Sequence, residues 1–185
     1  IIFGSSVTQI NIIIDTIIAS FLITGSISWL YMSDRFVELP LALFGIAIAT
    51  VILPKLSLLF ATKKTKDFNQ VVNWAVRMSI LVSIPTVIGL IILSKPILIS
   101  LLNYKEFSLY DVNMVSISLI AFSIGLPAMI GVKILITIFY SMKKTSFPAK
   151  VAVIAVFFNV TLNLILVVYL SRINFTGVHA GLSIA

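Results

Sequence analysis

The chain contains 185 residues, of which 60% are hydrophobic and only 10% are charged, whereas soluble domains are typically about 25% charged. Too few polar residues are present to cover a water-soluble fold, so the excess apolar surface must face lipid. The net charge of +7 comes from lysines and arginines that lie between apolar runs, which favours interactions with membrane lipids over binding of nucleic acid.

Apolar runs of about 20 residues predict membrane-spanning helices. Five runs are long enough or nearly so and a sixth is cut short, so we predict an all-α, polytopic membrane helix bundle. The predicted helices are residues 6–23, 26–53, 71–93, 112–140, 148–170 and a truncated 178–185. Pro54 is expected to end the second helix, because proline lacks the N–H group that continues a helix. Since the chain begins at Ile1 and ends within an apolar run, we expect it to be a piece of a longer protein.

Two basic connections predict the orientation of the helices. Residues 54–70 carry four lysines against one aspartate, and residues 141–150 carry three lysines and no acidic residue. In the connection between them, residues 94–111, two lysines are balanced by two acidic residues. Because short basic loops stay in the cytoplasm, both basic connections are predicted to be cytoplasmic. Lys133, which lies within reach of the same side, is expected to snorkel to that surface.

The second predicted helix carries three ionisable residues within five positions, Asp34, Arg35 and Glu38. An ionisable side chain at mid-bilayer costs roughly 2.5–3.5 kcal/mol on insertion scales, so these groups should face water, a partner or a ligand. Positions spaced alternately by three and four residues share one face of a helix. The residues with this spacing are Ser28, Tyr31, Arg35, Glu38, Ala42, Gly45 and Ala49.

Arg35 is the candidate ligand-binding residue of this face. A guanidinium holds a phosphate or pyrophosphate through two parallel hydrogen bonds and does not lose its proton. Glu38, one turn further on, is spaced to orient it. The alternative is an internal pair of Arg35 with Glu38 or Asp34 that only fixes helix packing, and the residues alone leave both interpretations open. Since the three groups sum to one negative charge, an anion would need further cations from outside this chain.

A second polar set is compatible with a cation site or with interhelical packing. Thr8, Asn11 and Asp15 share a face of the first predicted helix, and Asn159 and Asn163 stack four residues apart in the fifth. One carboxylate and two amides suit a monovalent cation, so Asp15, Asn159 and Asn163 are candidate Na⁺ ligands. Interhelical hydrogen bonding, at about 0.6 kcal/mol per contact, is the alternative. The absence of cysteine excludes disulfides and thiolate ligands.

An ordered series of short motifs extends from Gln9 to Ser57. Its members are Gln9-Ile10-Asn11, Asp15-Thr16-Ile17-Ile18-Ala19-Ser20, Gly25-Ser26-Ile27-Ser28, Tyr31, Asp34-Arg35, Leu39-Pro40, Phe44-Gly45-Ile46-Ala47, Ala49-Thr50 and Leu53-Pro54-Lys55-Leu56-Ser57. This series resembles the MurJ (MviN) family of lipid II flippases, which belongs to the MOP superfamily of exporters. Weaker matches at residues 102–107 and 179–182 extend the resemblance over essentially the whole chain.

The resemblance implies a fourteen-helix transporter of two lobes, in which this chain is the start of the second lobe and the first lobe is its partner. It implies transport of lipid II, the undecaprenyl-pyrophosphate-linked peptidoglycan precursor, across the bacterial cytoplasmic (inner) membrane by alternating access. Such a protein serves cell-wall biogenesis and cell shape, and it is a transporter rather than an enzyme. No cofactor is implied apart from Na⁺ as a coupling ion.

The resemblance also implies roles for individual residues. An arginine at the position of Arg35 lines the central cavity and binds the pyrophosphate. The substrate-binding residues predicted for this chain are Arg35, Glu38, Ser28, Tyr31 and Asp34. Asp15, Asn159 and Asn163 match a sodium site of some members, although Asn163 stands where some of them carry aspartate, which removes one negative charge.

Three other functions are compatible with parts of the sequence. Another exporter of the same superfamily would carry polysaccharide repeat units or drugs, although a drug exporter is expected to have an apolar or acidic cavity rather than a central arginine. An intramembrane enzyme acting on polyprenyl phosphates would place Asp34 and Arg35 in its site, but it calls for more carboxylates or histidines near a membrane face. A purely structural membrane subunit would tolerate loss of Arg35.

Overall fold

The computed structural model of the chain describes residues 13–14, 16–17, 20, 25–102, 107–172 and 182. Within these residues all regular secondary structure is helical. Four helices are long and apolar enough to cross a membrane, namely Ser26–Ala61, Thr65–Leu101, Leu109–Ser141 and Ser146–Asn163. The predicted all-α, polytopic membrane fold is confirmed. The first predicted helix and the truncated last one lie largely outside the described residues.

The first spanning helix of the described part is built from three segments in one continuous rod. Helix α1 covers Ser26–Pro40, a π-helical segment covers Leu41–Ile46, and α2 covers Ala47–Ala61. The remaining helices are α3 (Thr65–Leu102), α4 (Leu109–Ser141) and α5 (Ser146–Arg172).

The prediction that Pro54 ends its helix is wrong, because α2 continues through it to Ala61. Helix α3 likewise continues through Pro85 and Pro96. A proline removes one backbone hydrogen bond, and spanning helices tolerate this where neighbouring side chains satisfy the freed carbonyl group. In the described part of the chain, the helices that end at Ala61 and Ser141 stop at polar turns rather than at a proline.

Helix α4 lies at the centre of the described bundle. It packs against α1, the π-helical segment, α2 and α3, and its interface with α3 is the most extensive. Contacts of α5 with α4 are sparse by comparison. The buried apolar side chains include Trp29, Val37, Ile52, Leu56, Leu98, Val115, Leu119, Leu126, Ile130 and Ile134. This core fixes how α1 is rotated, and hence which of its residues point away from the bundle.

The beginning of α1 is tied to the beginning of α4. Gly25 adopts a left-handed conformation, with φ of 103°, and a Cβ atom there would lie 2.8 Å from the Trp29 ring. The indole N–H of Trp29 donates a hydrogen bond of 3.0 Å to Asp111. The Asp111 carboxylate also accepts from the backbone N–H of Ser108, at 2.9 Å, and so caps α4. These bonds fix the ends of both helices on the side that the charge pattern places outside.

The π-helical segment changes which face of the rod is buried. Along α1 the buried positions follow spacings of three and four up to Pro40, but the next buried residue is Gly45, five positions later. A π-helix bonds residues five apart, so it inserts one extra residue into the pattern. Gly45 therefore packs against Ile130, while Ala42 stays exposed. The prediction that these residues share one face is correct from Ser28 to Ala42. It is wrong at Gly45.

Candidate functional site

Helix α1 has one face toward α4 and another that points away from the described bundle. Trp29, Ser33 and Val37 on the first face are buried. The predicted substrate-binding residues on the other side are all exposed, and they are Ser28, Tyr31, Asp34, Arg35 and Glu38. The core contacts of α1 thus do not involve its ionisable residues. These remain exposed to groups outside the described helices.

The Arg35 guanidinium is held by its own helix on both sides. Its Nη1 donates to Glu38 Oε2 at 2.8 Å, and its Nη2 donates to the Tyr31 hydroxyl at 2.9 Å. The guanidinium carbon also lies 4.8 Å from the centre of the Tyr31 ring, in the range of a cation–π contact. These contacts use two of the five N–H groups of a guanidinium. The direction of Arg35 is fixed while most of its donors remain for a ligand.

The pair of Arg35 with Glu38 does not serve helix packing among the described residues. Both partners lie in α1, three positions apart, and their side chains are 56% and 53% exposed. An exposed ion pair contributes only about 0–1 kcal/mol to stability. The sequence left two interpretations of Arg35 open, ligand binding and helix packing. This geometry favours ligand binding.

A cavity of about 370 Å³ lies beside Arg35. Its lining residues are Arg35, Glu38, Leu39, Leu41, Ala42, Ile46 and Lys133. Three of them belong to the π-helical segment, namely Leu41, Ala42 and Ile46. The lining combines charged with apolar residues, a composition suited to an anionic group attached to an apolar body.

Lys133 is the residue that sequence reasoning missed. It comes from α4, about 12 Å before the end of that helix at Ser141 if each residue rises 1.5 Å, and its side chain lines the cavity. The sequence predicts only that Lys133 snorkels to the membrane surface. Lys133 and Arg35 line the same cavity because of the way α1 packs on α4. The spacing of residues within either helix does not reveal this packing. Among the described residues that line it, the cavity has two cations and one carboxylate, so this chain supplies a further cation that the sequence does not predict.

Two predicted site residues stand apart from this group. Ser28 and Asp34 are exposed on α1 but do not line the cavity. Tyr31 does not line it either, yet it bonds directly to Arg35. The structure therefore brings Arg35, Glu38 and Tyr31 together with Lys133.

The candidate sodium ligands are described only in part. Asn163 is buried, and its Nδ2 donates to Asn159 Oδ1 at 3.0 Å, so the two amides share a helix face. Asp15 lies outside the described residues, as do Thr8 and Asn11. No cluster of three or more His, Asp or Glu side chains suited to a metal occurs in the part of the chain that the structure describes. The Na⁺ site stays a prediction.

Comparison with known proteins places the chain in a family. The family model described as "Lipid II flippase MurJ" matches residues 1–184. The chain belongs to the MurJ family. The resemblance inferred from the motifs between Gln9 and Ser57 is thereby confirmed.

Several MurJ proteins are similar to this chain. Proteins named "Probable lipid II flippase MurJ" are 46% identical over 169 residues in Haemophilus influenzae and 47% identical over 163 residues in Vibrio cholerae, each covering 88% of this chain. "Lipid II flippase MurJ" of Burkholderia cenocepacia is 33% identical over 185 residues, covering 99% of this chain. The chain spans 33%, 31% and 34% of the lengths of these three relatives, respectively.

A solved structure shares the fold. "Lipid II flippase MurJ, inward closed conformation" superposes with a TM-score of 0.81 at 31% sequence identity. The match covers 96% of this chain and 36% of that one. The described helices thus have the arrangement of one part of a MurJ transporter.

Proposed function

We propose that this chain is part of a transporter that moves lipid II across the bacterial inner membrane by alternating access. Its membership of the MurJ family and its spanning helices support this function, and the relatives are named as flippases, which are transporters rather than enzymes. In such a transporter two lobes rock about a central site. This chain would supply the start of the second lobe, and the first lobe of the same protein would face it.

The observation that carries the proposal is the exposed Arg35 beside an amphipathic cavity. A pyrophosphate offers several anionic oxygens, and a guanidinium binds two of them in one plane. Tyr31 and Glu38 hold the guanidinium so that little rotamer entropy is lost when the substrate arrives. Lys133 would add a second positive charge from α4. The polyprenyl tail would stay in the lipid beside the apolar lining.

The charge of the cavity favours a lipid-linked pyrophosphate over the cationic substrates of drug exporters. Two cations against one carboxylate suit an anionic group, whereas a carrier of cationic drugs would need the opposite balance. Polysaccharide repeat units on polyprenyl pyrophosphate would offer the same anion, so the family assignment rather than the cavity separates these two substrates. The remaining proposed ligands, Ser28 and Asp34, would act at a different stage of the cycle or through the first lobe.

A coupling ion is a separate part of the proposal. Na⁺ held by Asp15, Asn159 and Asn163 would bias the two lobes toward one state. The shared face of Asn159 and Asn163 is compatible with this role, although the amide oxygen of Asn159 is engaged by Asn163. Asp15→Asn in the full-length protein is expected to weaken any dependence of transport on Na⁺, and an unchanged dependence would indicate that these residues serve packing.

The direct test of substrate recognition is Arg35→Lys in the full-length protein. Lysine keeps the charge but lacks the planar fork, so we expect failure to restore growth in a strain depleted of its own flippase. Arg77→Lys is the matched control, because Arg77 is also exposed but lies in α3 away from the cavity. Both variants should reach the membrane in equal amounts. Full growth with Arg35→Lys would contradict two-point recognition of the pyrophosphate.

A further inference from the structure

Two turns at the predicted cytoplasmic side have the same sequence and the same backbone. Each contains Lys-Lys-Thr, at residues 63–65 between α2 and α3 and at residues 143–145 between α4 and α5. The first lysine of each turn is left-handed, with φ of 54° at Lys63 and 58° at Lys143. The N–H of the second lysine donates to the carbonyl group five residues earlier, at 3.0 Å in both turns. Both turns are therefore Schellman caps that present two lysines at the end of a spanning helix.

The two turns line one cavity of about 850 Å³. Both left-handed lysines, Lys63 and Lys143, belong to its lining, whereas the second lysine of each turn does not. Thr65 and Asn69 also line it, as do Phe60 and Phe68, whose ring centroids lie 6.3 Å apart. The lining thus combines cationic and polar residues with apolar and aromatic ones at the turns that join the helices.

The charged side chains of the lining are positive. Among the described residues, the lining contains two lysines and no acidic residue. Helices α3 and α5 begin at these turns and α2 and α4 end at them, so the opposite partial charges of the helix ends largely cancel and the lysines set the local charge. Asp67 in the first turn of α3 opposes this charge, but it is exposed and does not line the cavity. An anion that is attached to an apolar chain satisfies both parts of this surface.

We propose that this cavity binds the headgroup of an anionic phospholipid of the cytoplasmic leaflet, with its phosphate between Lys63 and Lys143 and an acyl chain against Phe60 and Phe68. Basic pockets between helices on the cytoplasmic side of membrane proteins suit such headgroups. The bound lipid would bridge the α2–α3 turn to the α4–α5 turn, and so hold α5, which has few contacts with α4, to the bundle. The proposal does not depend on transport of lipid II.

The test compares two double variants of the full-length protein in nanodiscs. Lys63→Gln with Lys143→Gln removes the two cavity lysines, and Lys64→Gln with Lys144→Gln removes the same charge from the neighbouring positions. Binding of phosphatidylglycerol and of phosphatidylcholine is measured by native mass spectrometry. We expect the cavity variant to bind phosphatidylglycerol about 30-fold more weakly, since two lysines at about 1 kcal/mol each contribute about 2 kcal/mol, and the control to change less than about threefold.

Three outcomes would overturn the proposal. Equal losses in the two double variants would mean that the lysines attract lipid only through diffuse surface charge. Equal affinity of the unsubstituted protein for phosphatidylcholine would mean that the net charge of the headgroup is not recognised. Complete displacement of the lipid by inorganic phosphate would identify a free anion as the occupant. Asn69→Glu, which adds a carboxylate inside the cavity and leaves both turns intact, should weaken phosphatidylglycerol binding as well, and an unchanged affinity would contradict the site.

Discussion

The two faces of α1 use polar residues in different ways. On the face toward α4, Trp29 and Ser33 are buried, and each is hydrogen-bonded to a group of α4. On the opposite face, Arg35 is exposed, and its hydrogen-bond partners among the described residues are Tyr31 and Glu38 of its own helix. A polar group that is buried and satisfied by a neighbouring helix serves packing, whereas one that is exposed with donors to spare is available to a ligand. Residue type alone does not distinguish these two uses.

Of the substitutions that compare the two faces of α1, Arg35→Ala should have the largest effect, and it should act on transport rather than on stability. We expect lipid II transport by the full-length protein to fall at least about tenfold, because a lost charge-assisted hydrogen bond removes roughly 1.5–3 kcal/mol. The temperature of thermal unfolding should hardly change, since the ion pair is exposed. Arg77→Ala provides the control for loss of an exposed arginine. A large drop in stability with normal transport would assign Arg35 to the packing face.

Gly45→Leu, in contrast to Arg35→Ala, should mainly lower the stability of the protein. A Cβ atom at Gly45 would lie 3.2 Å from the Leu41 side chain and 3.5 Å from the Ile130 side chain, so a larger group overpacks the contact. We expect a loss of about 1–3 kcal/mol, measured as a lower midpoint of thermal unfolding. At Gly89 nothing lies within 4 Å of the added Cβ atom, so Gly89→Leu is the matched control. Equal effects of the two substitutions would contradict the close packing of the π-helical segment on α4.

Lys133→Gln should weaken lipid II binding, but less than Arg35→Ala does. We expect lipid II affinity to fall about three- to tenfold, less than for Arg35→Ala, because lysine provides a point charge rather than a planar fork. Titration of the purified full-length protein with lipid II measures this loss. Lys150→Gln, outside the cavity, controls for the change of net charge. An unchanged affinity would show that Lys133 only snorkels to the membrane surface.

Trp29→Phe should have the smallest effect. The substitution removes the hydrogen bond from the indole to Asp111 but keeps an aromatic ring at the end of α1. Interhelical hydrogen bonds in membranes average about 0.6 kcal/mol, so the unfolding midpoint should fall by only a few degrees. Transport should be retained. A loss of transport without a loss of stability would place Trp29 in the transport mechanism instead.

Sequence patterns identified the part of the site that lies within one helix. Spacings of three and four residues place Tyr31, Arg35 and Glu38 on one face, and the structure joins these three through hydrogen bonds. The same rule fails at Gly45, because the π-helical segment adds a residue that the spacing of side chains does not report. Helical periodicity thus predicts neighbours only while the helix keeps its regular register.

Contacts between helices could not be read from the sequence. Lys133 and Arg35 lie far apart along the chain, and only the packing of α4 against α1 places both beside one cavity. The pairing of the two Lys-Lys-Thr turns escaped the sequence analysis for the same reason, since each turn was recognised only as a basic cytoplasmic loop. Local spacing constrains one helix, whereas a site shared by two helices requires their relative position.

Cysteine labelling at Ala42 tests most directly whether the face with Arg35 is open to water and substrate. Ala42 is exposed and lines the cavity, and Ile92 of α3 is an exposed apolar residue that should face lipid. In a full-length protein without other cysteines, we expect a charged thiol reagent to label Ala42→Cys but not Ile92→Cys, and lipid II to slow the labelling of Ala42→Cys. An unreactive cysteine at this position, or labelling that lipid II leaves unchanged, would contradict substrate binding beside Arg35.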